Sequence, residues 1–426
     1  MLWLYRLIFL PALVLAAPYY LWRMRRRGGY GRHFADRFGG MKRCPPKRPG
    51  VKRIWIQAVS VGELLAIGPL LERLASEQSL EIVLTTTTST GFRLAEERYG
   101  RLAVAIGYFP IDAWFFSARM WRSLEPDIAV LAEGEWWPEH FAQARGRGVP
   151  VFSINGRLSD RSHRRMRRLK PLVQSLFGNV RQILASSEQD RLRFCDVGFR
   201  RDQVTTTGNL KLDITLPSPA PAETEALRSS LGFPNGDFVL LGSSTWPGEE
   251  RALLDALTAM RSKGVQSRLL LVPRHAERRE EIIPELEKSG FRFHVRSRGP
   301  CNGEVEIHLA DTTGELRRLT TVADLVFVGK SLPPHSQGQT PIEAAAMGKP
   351  LLFGPGMSNF RPIARDLVQC HAARIVGSGM ELVSATLELA GDARRREEMA
   401  EAAMRWHRAN LGALDRTFEY LKRQIS

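Results

Sequence analysis

Trp55-Ile56-Gln57-Ala58-Val59-Ser60-Val61-Gly62-Glu63 reads as a buried strand that turns at Gly62 into a helix running from Leu64 to Leu74. Gly62 is expected to permit a tight turn and a close approach by a ligand, at the point where α/β proteins bind substrates. The carboxylate of Glu63 would then face a crevice. A second reading stands beside this one, since an acidic residue in a first helical turn also complements the helix dipole. From Arg53 onward, short apolar runs alternate with helical periods, which predicts parallel sheets covered by helices.

A chain of 426 residues with 43% hydrophobic content is too long for one ordinary core, so two domains are expected. Its 61 Lys and Arg against 45 Asp and Glu give a net charge of +16, which points to an anionic partner. The four cysteines, Cys44, Cys195, Cys301 and Cys370, lie far apart with no Cys-x-x-Cys pair, so neither a zinc site nor a disulfide framework is suggested and a reducing compartment is expected.

Leu2 to Trp22 is almost wholly apolar and is followed by Arg23, Arg25, Arg26 and Arg27. Its length is close to the roughly 20 residues that cross a bilayer, so residues 1–28 are expected to be a retained membrane anchor. The positive-inside rule puts the rest of the chain on the cytoplasmic side. Arg6 and Pro11 keep a shallow, in-plane anchor open as an alternative.

Strands are expected at Ile82–Leu84, Asp127–Ala132, Val151–Ile154, Ile183–Ala185 and Val204–Thr207. The Asp127–Ala132 strand ends in Glu133-Gly134-Glu135-Trp136-Trp137-Pro138. Two carboxylates beside bulky aromatics are costly unless paired or used, which suggests function. After Ile154 come Asn155, Gly156, Arg157, Leu158 and Ser159, then a basic run including Arg161, His163, Arg164, Arg165, Arg167, Arg168 and Lys170. As a helix this run would spread charge over more than one face. It suits an anionic membrane surface better than nucleic acid, because no aromatic residue is interleaved with the charge.

Leu216 to Glu223 is Pro-rich and is read as a stiff linker, with one domain at 29–215 and a second at 224–403. In the second half, Phe238–Leu241 leads to Gly242-Ser243-Ser244-Thr245-Trp246-Pro247-Gly248-Glu249-Glu250, a turn opening a helix that can hold a phosphate on its N–H groups. Leu269–Val272 leads to Pro273-Arg274-His275, and Asp311 to Leu316 opens another helix. Leu325–Val328 leads to Gly329-Lys330-Ser331, and Gln337 to Glu343 follows. Several such tips at one end of the strands describe a nucleotide cleft. A P-loop ending at Gly329-Lys330-Ser331 is rejected, because Asp324 stands where its first glycine belongs. No Asp-x-Asp or His-Glu-x-x-His motif is present, so neither a metal nor a cofactor is expected.

Together these motifs resemble the membrane-associated Kdo transferases of lipopolysaccharide assembly. The resemblance rests on the apolar N-terminus, Val61-Gly62-Glu63, Glu133 to Pro138, Arg157-Leu158-Ser159, Gly208 to Asp213, Ser244 to Glu250, Pro273 to Arg278, Asp311 to Leu316, and Gly354-Pro355 with Asn359-Phe360. It implies an α/β GT-B fold, with two Rossmann-like domains facing a central cleft and a C-terminal helix, 404–426, returning to the first domain. It further implies inverting transfer of Kdo from CMP-Kdo to a lipid A precursor at the bacterial inner membrane, with no nucleic-acid partner. Glu63 would be the base, assisted by Glu133 or Glu135. Lys211 and Arg274 would neutralise the CMP phosphate, Gly314-Glu315-Leu316 would hold cytosine, and Glu343 would bind ribose. Ser243, Ser244, Thr340 and Asn359 would complete the donor site, with Gly62, Arg157, Arg161, Arg164 and Arg165 on the acceptor side. Gln337-Gly338-Gln339-Thr340-Pro341 departs from the family's usual Gly-Gly-His-Asn-Pro; Lys330 replaces a usual glycine, and Gly356 a usual histidine. CMP-Kdo stays the expected donor, with another nucleotide sugar or a membrane-tethered basic binding protein as alternatives.

Overall fold

In a computed structural model, all residues are described except 28–32, 42–43, 215, 217–219 and 426, together with the side chains of Arg23 and Arg27. The chain forms two compact units, one from Met1–Asp213 with Asn410–Ser426 and one from Ile214–Ala409.

The first unit is built on a seven-stranded sheet: β1 (Lys52–Ala58), β2 (Leu80–Thr86), β3 (Ala105–Tyr108), β4 (Ile128–Ala132), β5 (Val151–Gly156), β6 (Gln182–Ala185) and β7 (Val204–Thr206). Their order is β3-β2-β1-β4-β5-β6-β7, and every pair is parallel. The order reverses between β1 and β4, where chain tips diverge and doubly wound sheets leave a crevice. Along β1, Ile54, Ile56 and Ala58 enter one core while Trp55 enters the other. Both faces are therefore covered, as a parallel sheet requires.

The second unit repeats the plan with β8 (Phe238–Thr245), β9 (Ser267–Pro273), β10 (Phe293–Val295), β11 (Ile307–Leu309), β12 (Leu325–Val328), β13 (Leu351–Phe353) and β14 (Ala373–Ile375). The order is β10-β11-β9-β8-β12-β13-β14, again wholly parallel. The register slips near the carboxyl end of one strand in each unit, around Asn155 in β5 and Ser244 in β8. Both residues are left-handed, at φ 51° and 54°. Gly329 lies against the second irregularity so closely that a Cβ there would stand 2.4 Å from the Ser244 carbonyl oxygen.

Three expectations are corrected. The helix after β1 begins at Val61 rather than Leu64, preceded by extended Ser60, so the turn is made before Gly62, at which an added Cβ would meet open space. The stretch 404–426 is not one helix: Ala393–Ala409 ends, Gly412 takes φ 82°, and Ala413–Ile425 begins. Asp213 fastens this break by accepting the N–H groups of Gly412 at 3.1 Å and Leu414 at 2.5 Å, and Phe418, Leu421 and Ile425 then join the first unit's core. Of the linker at 216–223, residues 217–219 lie outside the described residues. Pro221-Ala222-Glu223 is not linker but the first turn of the helix Pro221–Ser230, where Pro at N1 costs no hydrogen bond.

Candidate active site

In the first unit, the turns after β1 and β4 bring together three carboxylates, Glu63, Glu133 and Glu135. Glu63 sits in the first turn of the helix Val61–Ala75, and its side chain folds back on the turn that carries it. It accepts the Val59 N–H at 2.8 Å and the Ser60 hydroxyl at 3.2 Å. The Ser60 hydroxyl donates to Glu63 rather than capping the helix, so this carboxylate fixes the turn between strand and helix as well as standing in the first turn, where it complements the dipole. Burial raises its pKa to about 7; the Val59 and Ser60 hydrogen bonds oppose that rise, and the charges of Glu133 and Glu135 add to it. A carboxylate poised near neutrality can accept a proton from a hydroxyl and also give it up.

Glu133, at φ 56°, follows β4 directly. Lys211 pairs with it at 2.5 Å, and the Asn155 amide donates to it at 3.3 Å. Asn155 also accepts the Leu210 N–H at 3.1 Å, so one buried side chain ties the β5 tip to the loop carrying Lys211. Glu135 accepts the Trp137 indole N–H at 2.8 Å. Burial raises its pKa, while the Trp137 and Gln57 side chains hold it down. Sequence reasoning did not select Asn155, Gln57 or Trp137. The signals were present: a polar residue inside an apolar strand at Gln57, and an Asn-Gly pair at a strand end.

Arg157 is half-buried nearby in sequence, whereas Arg161, Arg164 and Arg165 are exposed on the helix Asp160–Arg168. The expected spread of charge over more than one face is borne out. Positions 161, 164, 165 and 168 recur at helical spacing and form one outward stripe, while His163 and Arg167 turn to Asp196 at 2.7 and 3.8 Å.

In the second unit, the Ser244–Trp246 turn does not offer its Trp246 N–H to an anion. Glu249, 1% exposed, takes that N–H at 2.9 Å together with those of Lys330, Ser331 and Leu332 at 2.8, 2.9 and 3.1 Å. An internal carboxylate thus occupies the place imagined for phosphate and locks two loops together, while Ser243 and Ser244 are buried in the strand end. Above this clamp, the Lys330 ammonium lies 3.9 Å from the centre of the Trp246 ring, which also packs on His275 and His335. Arg274 is exposed after β9, and its guanidinium has no protein partner among the described residues.

Glu315 is bound bidentately by Arg296 at 2.7 and 2.6 Å and also by Thr312, which lowers its pKa to about 2. Its side chain is spoken for; the backbone of Gly314-Glu315-Leu316, with Gly314 at φ 87°, is what remains for a ligand. Glu343 receives both Arg317 N–H groups, at 3.2 and 2.8 Å, on Oε1 alone, leaving Oε2 without a partner among the described residues. Thr340 accepts the Ile342 N–H at 3.3 Å, and Asn359 is exposed with its backbone N–H on Gln337. Lys211, expected beside Arg274 at a phosphate, is placed instead on Glu133 in the first unit.

A family model described as 3-Deoxy-D-manno-octulosonic-acid transferase (kdotransferase) matches residues 32–214. The 3-deoxy-D-manno-octulosonic acid transferase of Bordetella pertussis is 32% identical over 425 residues, covering 96% of this chain and 96% of that protein. The Haemophilus influenzae protein of the same description is 31% identical, covering 92% of this chain and 91% of its own length. Among solved structures, a putative UDP-N-acetylglucosamine 2-epimerase from Listeria monocytogenes superposes with a TM-score of 0.57 at 13% identity, over 88% of this chain and 96% of that one. A glycosyltransferase from Rickettsia africae gives 0.57 at 13%, over 88% and 98%. These two likenesses are of fold, the GT-B class with its two parallel sheets.

Proposed function

Because the chain belongs to the 3-deoxy-D-manno-octulosonic-acid (Kdo) transferase family of glycosyltransferases, we propose that it moves Kdo from CMP-Kdo to a hydroxyl of a lipid A precursor, with inversion at the anomeric carbon and Glu63 as general base. The observation that carries the role of Glu63 is its place in the first turn after β1 with Glu133 and Glu135 beside it, where burial raises its pKa to about 7. An inverting transfer needs one such carboxylate and no covalent nucleophile.

In this reading the acceptor hydroxyl gives its proton to Glu63 as its oxygen forms the new bond to the anomeric carbon. The bond from that carbon to the CMP phosphate oxygen breaks, and CMP leaves as a phosphate monoester. That leaving group needs neutralisation rather than protonation, which the exposed guanidinium of Arg274 supplies with Lys330. Glu343 Oε2 takes a ribose hydroxyl, the Gly314–Leu316 backbone takes cytosine, and Ser243, Ser244, Thr340 and Asn359 shape the surroundings. Glu133 and Glu135 keep Glu63 basic, with Lys211 limiting the accumulated charge. Gly62, Arg157, Arg161, Arg164 and Arg165 serve the phosphorylated acceptor. The apolar helix Leu2–Arg27, long and apolar enough to cross a membrane, supports work at the bacterial inner membrane, with both units on the cytoplasmic side.

The test is a mass spectrum of a tetra-acylated lipid A precursor after incubation with the protein and CMP-Kdo, beside Glu63→Gln. A Kdo increment with the wild type alone is expected. No increment with CMP still bound would overturn the donor sugar and direct attention to Gln337–Pro341, and an undiminished increment in the variant would overturn the base.

A further inference from the structure

The helix Leu2–Arg27 is apolar enough to span a bilayer, yet it is fastened to the first unit near its amino terminus. Arg6 donates two hydrogen bonds of 2.9 Å to Glu139, a carboxylate with no exposure to solvent. Tyr5 donates at 2.8 Å to Asp112, 4% exposed, which also accepts the N–H groups of Glu139 and His140 at 3.0 Å each. Gln143 completes the network on Glu139 at 2.7 Å. Such a buried carboxylate pair needs Arg6 in place, because removing one partner leaves an uncompensated charge.

The other end of the helix is tied to the same unit. The chain re-enters it at the 3-10 turn Phe34–Phe38, where Phe38 packs on Phe116 at 5.2 Å. The six steps from Arg27 to His33 reach at most about 20 Å. If the helix stood upright in a bilayer, Arg6 and Arg23 would lie about 26 Å apart along the membrane normal. The network around Glu139 would then be carried almost through a hydrocarbon core of roughly 30 Å. A folded unit with charged surfaces cannot follow its anchor to that depth.

We propose that the helix lies in the plane of the membrane, latched by Arg6–Glu139 and Tyr5–Asp112, with an anionic phospholipid leaflet as the partner of its outer face. Half-buried residues recur along one side at Leu2, Tyr5, Arg6, Phe9, Leu13, Ala16 and Ala17. The opposite side is exposed and apolar: Leu4, Leu7, Ile8, Val14 and Leu15. Trp114 and Phe115, 55% and 44% exposed, line a pocket of about 380 Å³ with Trp3, Phe9 and Leu10, and so extend the apolar surface beyond the helix. Arg25 and Arg26 at the helix end and the chain's net charge of +16 supply the attraction to anionic headgroups.

This inference rests on the membrane reading above but not on the sugar chemistry. The full chain carries a short hydrophilic tag ahead of Met1 in sealed inside-out vesicles of phosphatidylethanolamine and phosphatidylglycerol, with protease outside. Complete removal of the tag is expected; protection until detergent is added would overturn the in-plane arrangement and leave membrane binding intact. Failure of the protein to sediment with the vesicles would overturn both. In a background with Cys44, Cys195, Cys301 and Cys370 replaced by Ser, nitroxides at Leu7→Cys and Leu15→Cys are expected at one shallow depth, whereas an upright helix separates them by about 12 Å. Glu139→Gln, and Glu139→Gln with Arg6→Leu, should deepen the Leu7 label relative to the Leu15 label. Unchanged depths in the double variant would overturn the latch.

Discussion

Glu63→Gln should lower turnover and raise stability together, and both effects follow from one carboxyl group. In the wild type burial raises its pKa to about 7, so the share of molecules that carry the base changes through the neutral range. Turnover should therefore fall about tenfold per pH unit below 7 and level off above it. The amide cannot accept the proton, so the rate should drop by about 10²–10⁴, or roughly 3 to 5 kcal/mol of barrier. The stability change has the opposite sign. A carboxyl whose pKa rises on folding favours the folded state below its unfolded value of about 4.5, and that advantage is lost as pH rises to about 7. The shift corresponds to a penalty of at most about 3 kcal/mol above pH 7, reduced by the solvent that still reaches the group. Gln keeps an acceptor for Val59 and a partner for Ser60 without that penalty. Single-turnover transfer from pH 5 to 9, beside urea unfolding at pH 5 and 8, measures both. A variant within tenfold of wild type, or a rate flat across pH 7, would refute the base. A variant less stable than wild type at pH 8 would refute the desolvated carboxylate.

Three further outcomes follow. Lys211→Met removes the ammonium 2.5 Å from Glu133 and adds unopposed negative charge around Glu63, so the acidic limb of the pH–rate profile should move to higher pH with little change in CMP affinity. Glu249→Ala strips the acceptor from four backbone N–H groups and should cost several kcal/mol in urea unfolding, with loss of CMP binding by calorimetry. Arg274→Met lies on an exposed side chain without a protein partner among the described residues, so CMP affinity should fall about 10- to 100-fold while the melting temperature stays unchanged.

Much of the scaffold was legible because its signals are local. β1 and the helix after it are consecutive, so an apolar run, Ser60 and Glu63 could be read without knowing anything distant. The longer strands β8 and β9 announced themselves in the same way. Three-residue strands such as β10, β11, β13 and β14 carry no period to read, and only their neighbours in the sheet make them strands. The break between Ala409 and Ala413 does carry a local signal, Asn410 and Gly412, that was passed over; Asp213, 199 residues away from Gly412, decides where the second helix starts. The Lys211–Glu133 pair and the Arg6–Glu139 latch share that character, joining residues that no window of sequence contains.

The two units make the limit of sequence reading plain, since each sends its first strand into a helix with a glutamate in the first turn. Glu249 meets four N–H groups from two loops, which use all the acceptor capacity a carboxylate has for fixing structure. Glu63 meets one N–H and one hydroxyl and faces two further carboxylates instead. Burial raises the pKa of both. What differs is the consequence of protonation: at Glu249 it would turn one accepting oxygen into a donor against a wall of donors, whereas at Glu63 it relieves repulsion from Glu133 and Glu135. Exchange of a proton is therefore cheap at Glu63 and disruptive at Glu249. Both stand in the first helical turn, and the donors gathered around each from elsewhere in the chain decide which glutamate holds the fold and which one is left to exchange a proton.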